Sequence, residues 1–243
     1  ADYFKENLLK LYVFSDFHLS GDPPTKPMDI FGENWKNHRE KILSAWKETI
    51  TAGDTVIMAG DISWATHLED ALSDLKTLSA LPGRKIIVRG NHDYWWNTVS
   101  KMKRMTDNAF EFIFNSALSV ENIALAGTRG WIPETSKKIT EEDKVIILRE
   151  QGRLERSLIE AEKFNCEKIF AILHYPPFDE QRRPTKMMEI MKSHGVTDCI
   201  YGHIHGKQNF NNLPKELEGI QLHLTSSDYL DFKPLLLTEW DES

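Results

Sequence analysis

Short apolar runs alternate with longer amphipathic stretches along most of this chain. Runs rich in β-branched residues predict strands at residues 9–14, 55–59, 85–89, 168–173 and 197–201. Stretches with apolar positions three or four residues apart predict helices at residues 35–50, 68–78, 96–105, 141–164 and 186–194. The first three strands are each followed by a loop and a helix, which indicates βαβ connections and a largely parallel sheet.

The segment from Phe112 to Ala126 has a different pattern. Its apolar runs flank Glu121-Asn122, which predicts strands joined by a turn and therefore a second, more antiparallel region. Further apolar runs follow at residues 220–225 and 235–238. The sequence has no internal repeat, low-complexity tract or interdomain linker, so we expect a single domain spanning residues 1–243.

Composition and charge restrict the classes of function. The chain has 243 residues, of which 40% are hydrophobic and 28% charged, as is typical of a globular protein with a substantial core. Its net charge of −7 argues against a long nucleic-acid partner but allows a small phosphorylated substrate if bound cations supply positive charge. Because no stretch approaches the roughly 20 apolar residues of a membrane span, we expect no membrane association and a cytoplasmic location.

Metal-binding residue types follow the predicted strands in five blocks. The blocks are Asp16-Phe17-His18, Gly60-Asp61, Gly90-Asn91-His92-Asp93, His174 and Gly202-His203-Ile204-His205. Each begins where an apolar run ends, so these side chains are expected to converge at one edge of a sheet. Carboxylate, imidazole and amide ligands suit Mn²⁺, Fe²⁺ and Zn²⁺. A single Asp or His is more often a helix cap or a packed residue, but the five blocks together predict a two-metal hydrolytic centre.

The five blocks resemble the motifs of the calcineurin-like metallophosphoesterases. That family has Asp-x-His, Gly-Asp, Gly-Asn-His-Asp/Glu, His and Gly-His-x-His in this order, and every element is present between Asp16 and His205. The resemblance implies an α/β fold in which a two-sheet, mixed β-sandwich is flanked by helices, with the layers α/β/β/α. It also implies two divalent transition-metal ions, for which we expect Mn²⁺ first and Fe or Zn as alternatives.

The resemblance also implies two ligand sets joined by a bridging Asp61. One ion would be bound by Asp16, His18 and His205, and the other by Asn91, His174 and His203. His92 is then left off the metals, and its counterpart in the family lies over the substrate phosphate, where it protonates the leaving group or stabilises the transition state. We therefore expect Asp61 and His92 to be the catalytic residues.

Departures from the serine/threonine protein phosphatases bear on the substrate. Those enzymes continue Gly-Asp as Gly-Asp-x-x-Asp-Arg-Gly and end the next block in Glu, whereas this chain has neither that Asp nor that Arg and has Asp93 in place of the Glu. These differences favour a phosphodiesterase that cleaves a small phosphodiester with metal-activated water. The alternatives are a phosphomonoesterase and a non-catalytic metal-binding scaffold of the same fold. A nuclease ranks lower, because it requires a basic groove.

Aromatic and basic residues near the blocks are candidate substrate contacts. Trp64 and Tyr175 could wall a pocket that stacks on a base or sugar, and core packing is an equally good interpretation of both. Core packing is the better interpretation of Trp95 and Trp96. Among the basic loop residues we expect Arg129 to contact phosphate oxygens, because a guanidinium binds phosphate through two parallel hydrogen bonds.

Overall fold

Two β-sheets form the centre of the protein in the computed structural model, which describes residues 9–240. The first sheet contains β1 Leu9–Phe14, β2 Thr55–Met58, β3 Arg84–Ile87, β4 Glu111–Phe112 and β11 Leu235–Trp240. Their order is β11-β1-β2-β3-β4, and the four strands from β1 to β4 are parallel. The parallel sheet predicted from the first three strand–helix units is therefore confirmed.

The second sheet is also mostly parallel. It contains β5 Ala117–Val120, β6 Ile123–Thr128, β7 Lys168–Leu173, β8 Asp198–Tyr201, β9 Glu216–Leu217 and β10 Ile220–Leu224, in the order β5-β6-β7-β8-β10-β9. The turn predicted at Glu121-Asn122 is confirmed, since β5 and β6 form an antiparallel pair around it. The expected antiparallel character is limited to the edge strands β5 and β9, because the long helix after β6 returns the chain so that β7 runs parallel to β6.

Within residues 9–240, five α-helices cover the outer faces of the two sheets. They are α1 His38–Thr49, α2 Leu68–Ser79, α3 Val99–Met105, α4 Glu141–Glu162 and α5 Lys186–Ser193. The prediction that the first helix starts at Trp35 is wrong, because Asn37 has the left-handed φ of 54° and separates Trp35 from α1. Trp35 instead ends the second of two short 3-10 helices, Met28–Phe31 and Glu33–Trp35.

Three apolar layers hold the elements together. The central layer lies between the sheets and joins Leu11 and Ile57 of the first sheet to Phe170 and Ile172 of the second. One outer layer packs α1, α2 and α3 against the first sheet, and the other packs α4 and α5 against the second. This arrangement confirms the predicted α/β/β/α sandwich.

The carboxyl ends of the parallel strands of both sheets meet at one edge of the sandwich. The backbone N–H of Ser15, after β1, donates to the carbonyl of Thr225, after β10, at 2.9 Å. The N–H of Gly202, after β8, donates to the carbonyl of His174, after β7, at 3.1 Å. The loops that carry the five blocks are therefore adjacent in space. Among residues 9–240, no helix combines the length and the apolar composition needed to cross a membrane.

Candidate metal centre

Left-handed backbone turns aim the polar side chains of the blocks into the sheet edge. Asp16, His18, Asp61 and His203 have φ angles of 58°, 49°, 54° and 70°. Such angles cost a residue other than glycine about 1–3 kcal/mol and persist only where the surrounding structure enforces them. Four such residues at one sheet edge indicate that the local backbone is organised around the positions of their side chains.

The first expected ligand set is brought together. The Nε2 atom of His205 lies 3.0 Å from Oδ1 of Asp16 and 3.4 Å from Nε2 of His18. One potential ligand atom from each of these three side chains lies within 4.8 Å of the others. The three side chains are therefore close enough to share one cation.

The second expected set is centred on the amide of Asn91. Its Oδ1 atom lies 2.6 Å from Nε2 of His174 and 3.0 Å from Nδ1 of His203. The His174 ring is fixed from behind, because its Nδ1 atom lies 2.9 Å from the carbonyl oxygen of Ala59 on the second strand of the first sheet. Residues that follow three different strands thus converge on one point.

Asp61 lies between the two sets. Its Oδ2 atom is 3.7 Å from Nε2 of His18 and 3.4 Å from Nε2 of His174, while its Oδ1 atom accepts the backbone N–H of His92 at 2.8 Å. A single carboxylate oxygen therefore faces imidazoles from both sets. This is the position that a bridging ligand requires.

The site buries negative charge that must be balanced. The Asp16 and Asp61 side chains are almost fully inaccessible to solvent, and burial raises the pKa of a carboxyl group. In Asp61 the effect of burial is outweighed by His174 and His18, which hold its pKa well below the usual range. In Asp16 burial is likewise outweighed by His205, and the pKa falls to about 2. Both groups are therefore carboxylates at neutral pH.

The imidazoles divide into two kinds. Burial lowers the pKa of His18 to about 4 and that of His203 to about 3, so both rings are neutral lone-pair donors. In His174, burial lowers the pKa but the Asp61 carboxylate raises it to about 9. Two carboxylates, an amide oxygen and the imidazoles, once His174 has given up its proton, form a donor set that suits borderline divalent ions. The residues present therefore fit the metals implied by the sequence.

Asp228 is a polar residue of the site that sequence analysis missed. Its Oδ1 atom lies 2.8 Å from Nδ1 of His205, and its Oδ2 atom accepts the backbone N–H of Gly206 at 2.8 Å. Asp228 follows the last strand of the second sheet and belongs to none of the five blocks, so no local pattern indicated its role.

Asp93 stabilises the backbone turns of two blocks, those at Gly60-Asp61 and at Gly90-Asn91. Its carboxylate is fully buried and accepts hydrogen bonds from the backbone N–H groups of Asp61 at 2.9 Å and Gly90 at 2.7 Å, and from the indole of Trp95 at 3.0 Å. Burial, reinforced by the nearby Asp61 charge, raises the pKa of Asp93 to about 6. The Asp93 carboxylate therefore ties the backbone of the Gly60-Asp61 block to that of the Gly90 block.

His92 lies beside the expected ligands and packs on an aromatic ring. Its ring centroid is 4.3 Å from that of Trp64 and 5.7 Å from that of His18. Its Nδ1 atom is buried and has no hydrogen-bond partner within residues 9–240. Burial lowers the pKa of His92, and the Asp61 charge only partly offsets this effect. Packing against Trp64, rather than an acidic partner, therefore sets the orientation of the ring.

The three candidate substrate residues lie in different surroundings. The indole of Trp64 stacks on His18 with centroids 4.9 Å apart, and the ring of Tyr175 packs against His203 with centroids 4.1 Å apart and the ring planes tilted by 35°. The guanidinium of Arg129 lies 4.3 Å above the Trp131 ring and 3.5 Å from the buried Glu150 carboxylate. Trp64 and Tyr175 thus contact the centre directly, whereas Arg129 is engaged by its own neighbours. The core prediction for Trp95 is confirmed, since only 1% of this residue is exposed.

Comparisons with known proteins agree with this geometry. The family model for calcineurin-like phosphoesterases matches residues 9–207. A search of curated proteins finds no match. Among solved structures, a Thermus thermophilus protein, TT1561, superposes with a TM-score of 0.60 at 12% identity, covering 97% of this chain and 99% of its own.

Two further solved structures carry functional names. A phosphopantetheinyl hydrolase from Mycobacterium tuberculosis has a TM-score of 0.50 and 13% identity over 91% of this chain and 90% of its own. A putative 5′-nucleotidase from Staphylococcus aureus has a TM-score of 0.53 and 13% identity over 90% of this chain and 48% of its own. At such low identity these similarities establish a shared fold. The family match covers most of the sequence, and the chain therefore belongs to the calcineurin-like phosphoesterases, a family of phosphoric ester hydrolases.

Proposed function

We propose that this protein is a binuclear metal-dependent phosphodiesterase that hydrolyses a small phosphodiester with water and forms no covalent enzyme intermediate. The observation that carries the proposal is the position of Asp61, whose Oδ2 atom faces His18 at 3.7 Å and His174 at 3.4 Å. A carboxylate oxygen that faces both ligand sets is the natural bridge between two cations.

The seven expected ligands would hold the two ions. One ion would be held by Asp16, His18, Asp61 and His205, and the other by Asp61, Asn91, His174 and His203. When bound, divalent ions lower the pKa of water and neutralise the charge of the phosphate, and Mn²⁺ is the first choice for this donor set. The chain itself keeps the site rigid, because Ala59, Asp93 and Asp228 accept hydrogen bonds that fix the ligands from outside.

In the proposed reaction His92 supplies the proton of the departing alcohol. Water forms a new P–O bond and gives up a proton, while the bond to the leaving oxygen breaks and that oxygen takes the proton of His92. The proton given up by the water restores the His92 ring, so the products are a phosphomonoester and an alcohol. The Nδ1 atom of His92 is buried without a partner, which leaves Nε2 as the nitrogen available to the reacting groups. The position of the ring among residues that line a cavity supports this role.

Two cavities beside the centre favour a diester over a monoester. One has a volume of about 610 Å³ and is lined by His18, His92 and His205, and the other has a volume of about 490 Å³ and is lined by His203 and His205. A diester has two organic substituents on phosphorus, whereas a monoester has one. Trp64 lines the first cavity and Tyr175 the second, so we propose that each contacts one substituent.

Arg129 remains our candidate for the phosphate oxygens. Its carbonyl oxygen accepts the backbone N–H groups of His174 and Tyr175, which places its backbone next to the second ligand set. Its side chain would have to leave the Glu150 carboxylate, at 3.5 Å, to bind substrate. Arg129→Lys should therefore raise KM for the diester and leave the metal content unchanged.

Metal reconstitution combined with paired substrates tests the proposed function. After removal of metals with a chelator and reconstitution with Mn²⁺, elemental analysis should find about two ions per chain. The value of kcat/KM should be higher for bis(p-nitrophenyl) phosphate than for p-nitrophenyl phosphate. A preference for the monoester would instead support a phosphomonoesterase, and bound metal without hydrolysis of any ester would support a scaffold.

A pair of carboxylate variants sharpens the test. Asp61→Asn should abolish turnover and reduce the bound metal, because the amide removes the bridging charge. The matched control is Asp198→Asn at the other end of the strand β8, where Asp198 pairs with His223 at 2.8 Å. Full metal content and activity in the Asp61 variant would refute the bridging role.

A further inference from the structure

The larger of the two cavities has a wall that none of the metal-binding blocks supplies. The cavity, of about 610 Å³, lies between the two 3-10 helices of residues 28–35 and the segment 205–208, and its floor contains His18, His92 and His205. We propose that this cavity is the subsite for the leaving alcohol and that this alcohol carries a planar aromatic group without positive charge. The proposal rests on the proposed function in taking the substrate to be a phosphate ester.

The wall is aromatic and held in place. It is formed by Met28, Phe31, Trp35 and Trp64. The indole N–H of Trp64 donates to the sulfur of Met28 at 3.3 Å, and Trp35 packs edge-on against the buried Phe232 at 5.2 Å. Because these contacts fix Met28, Trp35 and Trp64, this part of the wall is in place before substrate arrives, as is usual for small-molecule sites.

The lining indicates the shape of the bound group. It contains two indoles, a phenyl ring and a thioether, together with the amide side chains of Asn34 and Gln208, and the part of the chain that the structure describes contributes no Leu, Ile or Val to it. Aromatic rings stack on aromatic rings with a gain of about 0.5–1.5 kcal/mol beyond the burial of area. An alkyl chain does not benefit from stacking, and the two amides provide hydrogen bonds for ring heteroatoms or substituents.

The charges around the cavity argue against a cationic group. Apart from the histidines, its charged lining residues are Glu33, Lys207 and Asp228. Asp228 is engaged by His205 and Gly206, Glu33 pairs with Lys36 at 3.6 Å, and the ammonium group of Lys26 lies 5.1 Å over the Trp64 ring. A cationic substituent would therefore meet the ammonium groups of Lys26 and Lys207, while the lining carboxylates are already engaged.

His92 decides which substituent of the ester occupies this cavity. His92 lines the cavity of about 610 Å³ but not the cavity of about 490 Å³, whose lining includes Tyr175, Arg182 and His203. Since His92 is the proposed proton donor to the departing oxygen, the alcohol on its side is the one released. The substituent in the other cavity stays on the phosphate.

A mixed diester tests this assignment directly. In n-hexyl 2-(2-naphthyl)ethyl phosphate both leaving groups are primary alcohols of similar acidity, so the binding site rather than intrinsic reactivity determines which bond breaks. The Mn²⁺-reconstituted enzyme should release naphthylethanol over hexanol by about tenfold, measured by chromatography of the products. Equal release of both alcohols, or predominant release of hexanol, would overturn the assignment.

Two adjacent exposed residues provide a variant and its control. Phe31 lines the cavity and is 65% exposed, whereas Ile30 is 76% exposed and does not line it. Phe31→Ala should reduce the preference for naphthylethanol by about 2–10-fold, the range expected from loss of one stacking contact, and Ile30→Ala should leave it unchanged. Equal effects of the two substitutions would overturn the role of the wall.

A binding measurement separates this proposal from the proposed function. The non-hydrolysable 2-(2-naphthyl)ethylphosphonate and n-hexylphosphonate are titrated into the metal-loaded enzyme by calorimetry. The naphthyl compound should bind about tenfold more tightly in the wild type, and Phe31→Ala should reduce the difference. If no diester is hydrolysed but this difference is found, the diesterase assignment fails and the aromatic subsite stands. Equal affinities would refute the subsite whichever esters are hydrolysed.

Discussion

The Nδ1 atom of His205 lies 2.8 Å from Oδ1 of Asp228, and the opposite nitrogen of the same ring lies 3.0 Å from Oδ1 of Asp16. The imidazole is therefore held between two carboxylates, one inside the metal centre and one behind it. Asp228 is itself fixed by the backbone N–H of Gly206 at 2.8 Å. A carboxylate behind a ligand histidine sets its tautomer and orientation and increases its basicity.

Asp228→Asn is expected to weaken metal binding about 10–100-fold, because the amide cannot provide the negative charge that supports His205. Mn²⁺ titration of the metal-free variant, with elemental analysis after gel filtration, measures this change. Asp198→Asn serves as the matched control, since Asp198 also pairs with a histidine, His223 at 2.8 Å, but outside the centre. Unchanged Mn²⁺ affinity in the Asp228 variant would contradict the supporting role.

His92→Ala is expected to retain its metals and lose about 10²–10⁴-fold in kcat, because His92 is assigned to proton transfer and not to metal binding. The loss should be smaller for an ester whose leaving group is a good one, such as p-nitrophenol, than for an alkyl ester. His67→Ala, at the exposed residue before α2, is the control and should retain wild-type activity. Loss of metal from the His92 variant would move this residue into the ligand set.

The positions of the expected ligands could be predicted because each follows a parallel strand. Motif residues such as Asp16 and His174 mark the ends of apolar runs, and parallel strands in adjacent positions bring those ends together without further information. Asp61 lies between the two histidine sets because β1 and β2 are neighbours in one sheet and β7 and β8 are neighbours in the other. Local patterns therefore predicted that the blocks converge, whereas the division into two ligand sets and the bridging role of Asp61 were implied by the resemblance to the calcineurin-like metallophosphoesterases.

Asp228 and the cavity wall could not be predicted in this way. Asp228 is 23 residues from His205, and their contact depends on how the segment after the last strand of the second sheet folds back. The wall residues Phe31 and Trp35 lie in two short 3-10 helices, which have no apolar periodicity to indicate them. Trp35 resembled the start of a helix only because its spacing to Ile42 and Trp46 fits a helical period.

Gly90→Ala is expected to disrupt the centre through a steric clash. A Cβ atom at Gly90 would lie 2.1 Å from Oδ1 of Asp61 and 2.2 Å from its backbone nitrogen, so Asp61 would have to move. We expect a loss of about 1–3 kcal/mol in the free energy of unfolding and a reduced metal content. The measurements are denaturant unfolding and elemental analysis.

Gly152→Ala is the control for this prediction. Gly152 lies inside α4, where the nearest atom to an added Cβ is a flexible Arg156 nitrogen at 3.5 Å. Alanine is the better helix former there by about 0.5–1 kcal/mol, so this variant should be slightly more stable than the wild type. Equal stability and metal content in the Gly90 and Gly152 variants would show that the close approach of Gly90 to Asp61 is unimportant.

Metal binding is expected to release protons. In His205 burial lowers the pKa, but the Asp16 carboxylate raises it to about 10, and Asp61 likewise raises that of His174 to about 9. Both rings are thus protonated at pH 7 in the metal-free protein, whereas a ligand imidazole must be neutral. We expect release of about two protons per chain and a Mn²⁺ affinity that rises with pH up to about 9–10. Calorimetry at pH 7 in buffers of different ionisation enthalpy counts these protons.

The same pKa values predict how the stability of the metal-free protein depends on pH. A histidine whose pKa is raised on folding stabilises the folded state fully below its unfolded pKa, close to 6.5, and loses this contribution as the pH rises through its folded pKa. The melting temperature of the metal-free protein should therefore fall between pH 7 and pH 10. In the metal-loaded protein the positive charge of the ions replaces that of the histidine protons, so the melting temperature should fall less over the same range. The measurement is the melting temperature of each form between pH 7 and pH 10. If the melting temperatures of the two forms changed equally with pH, His174 and His205 would be neutral in the metal-free centre.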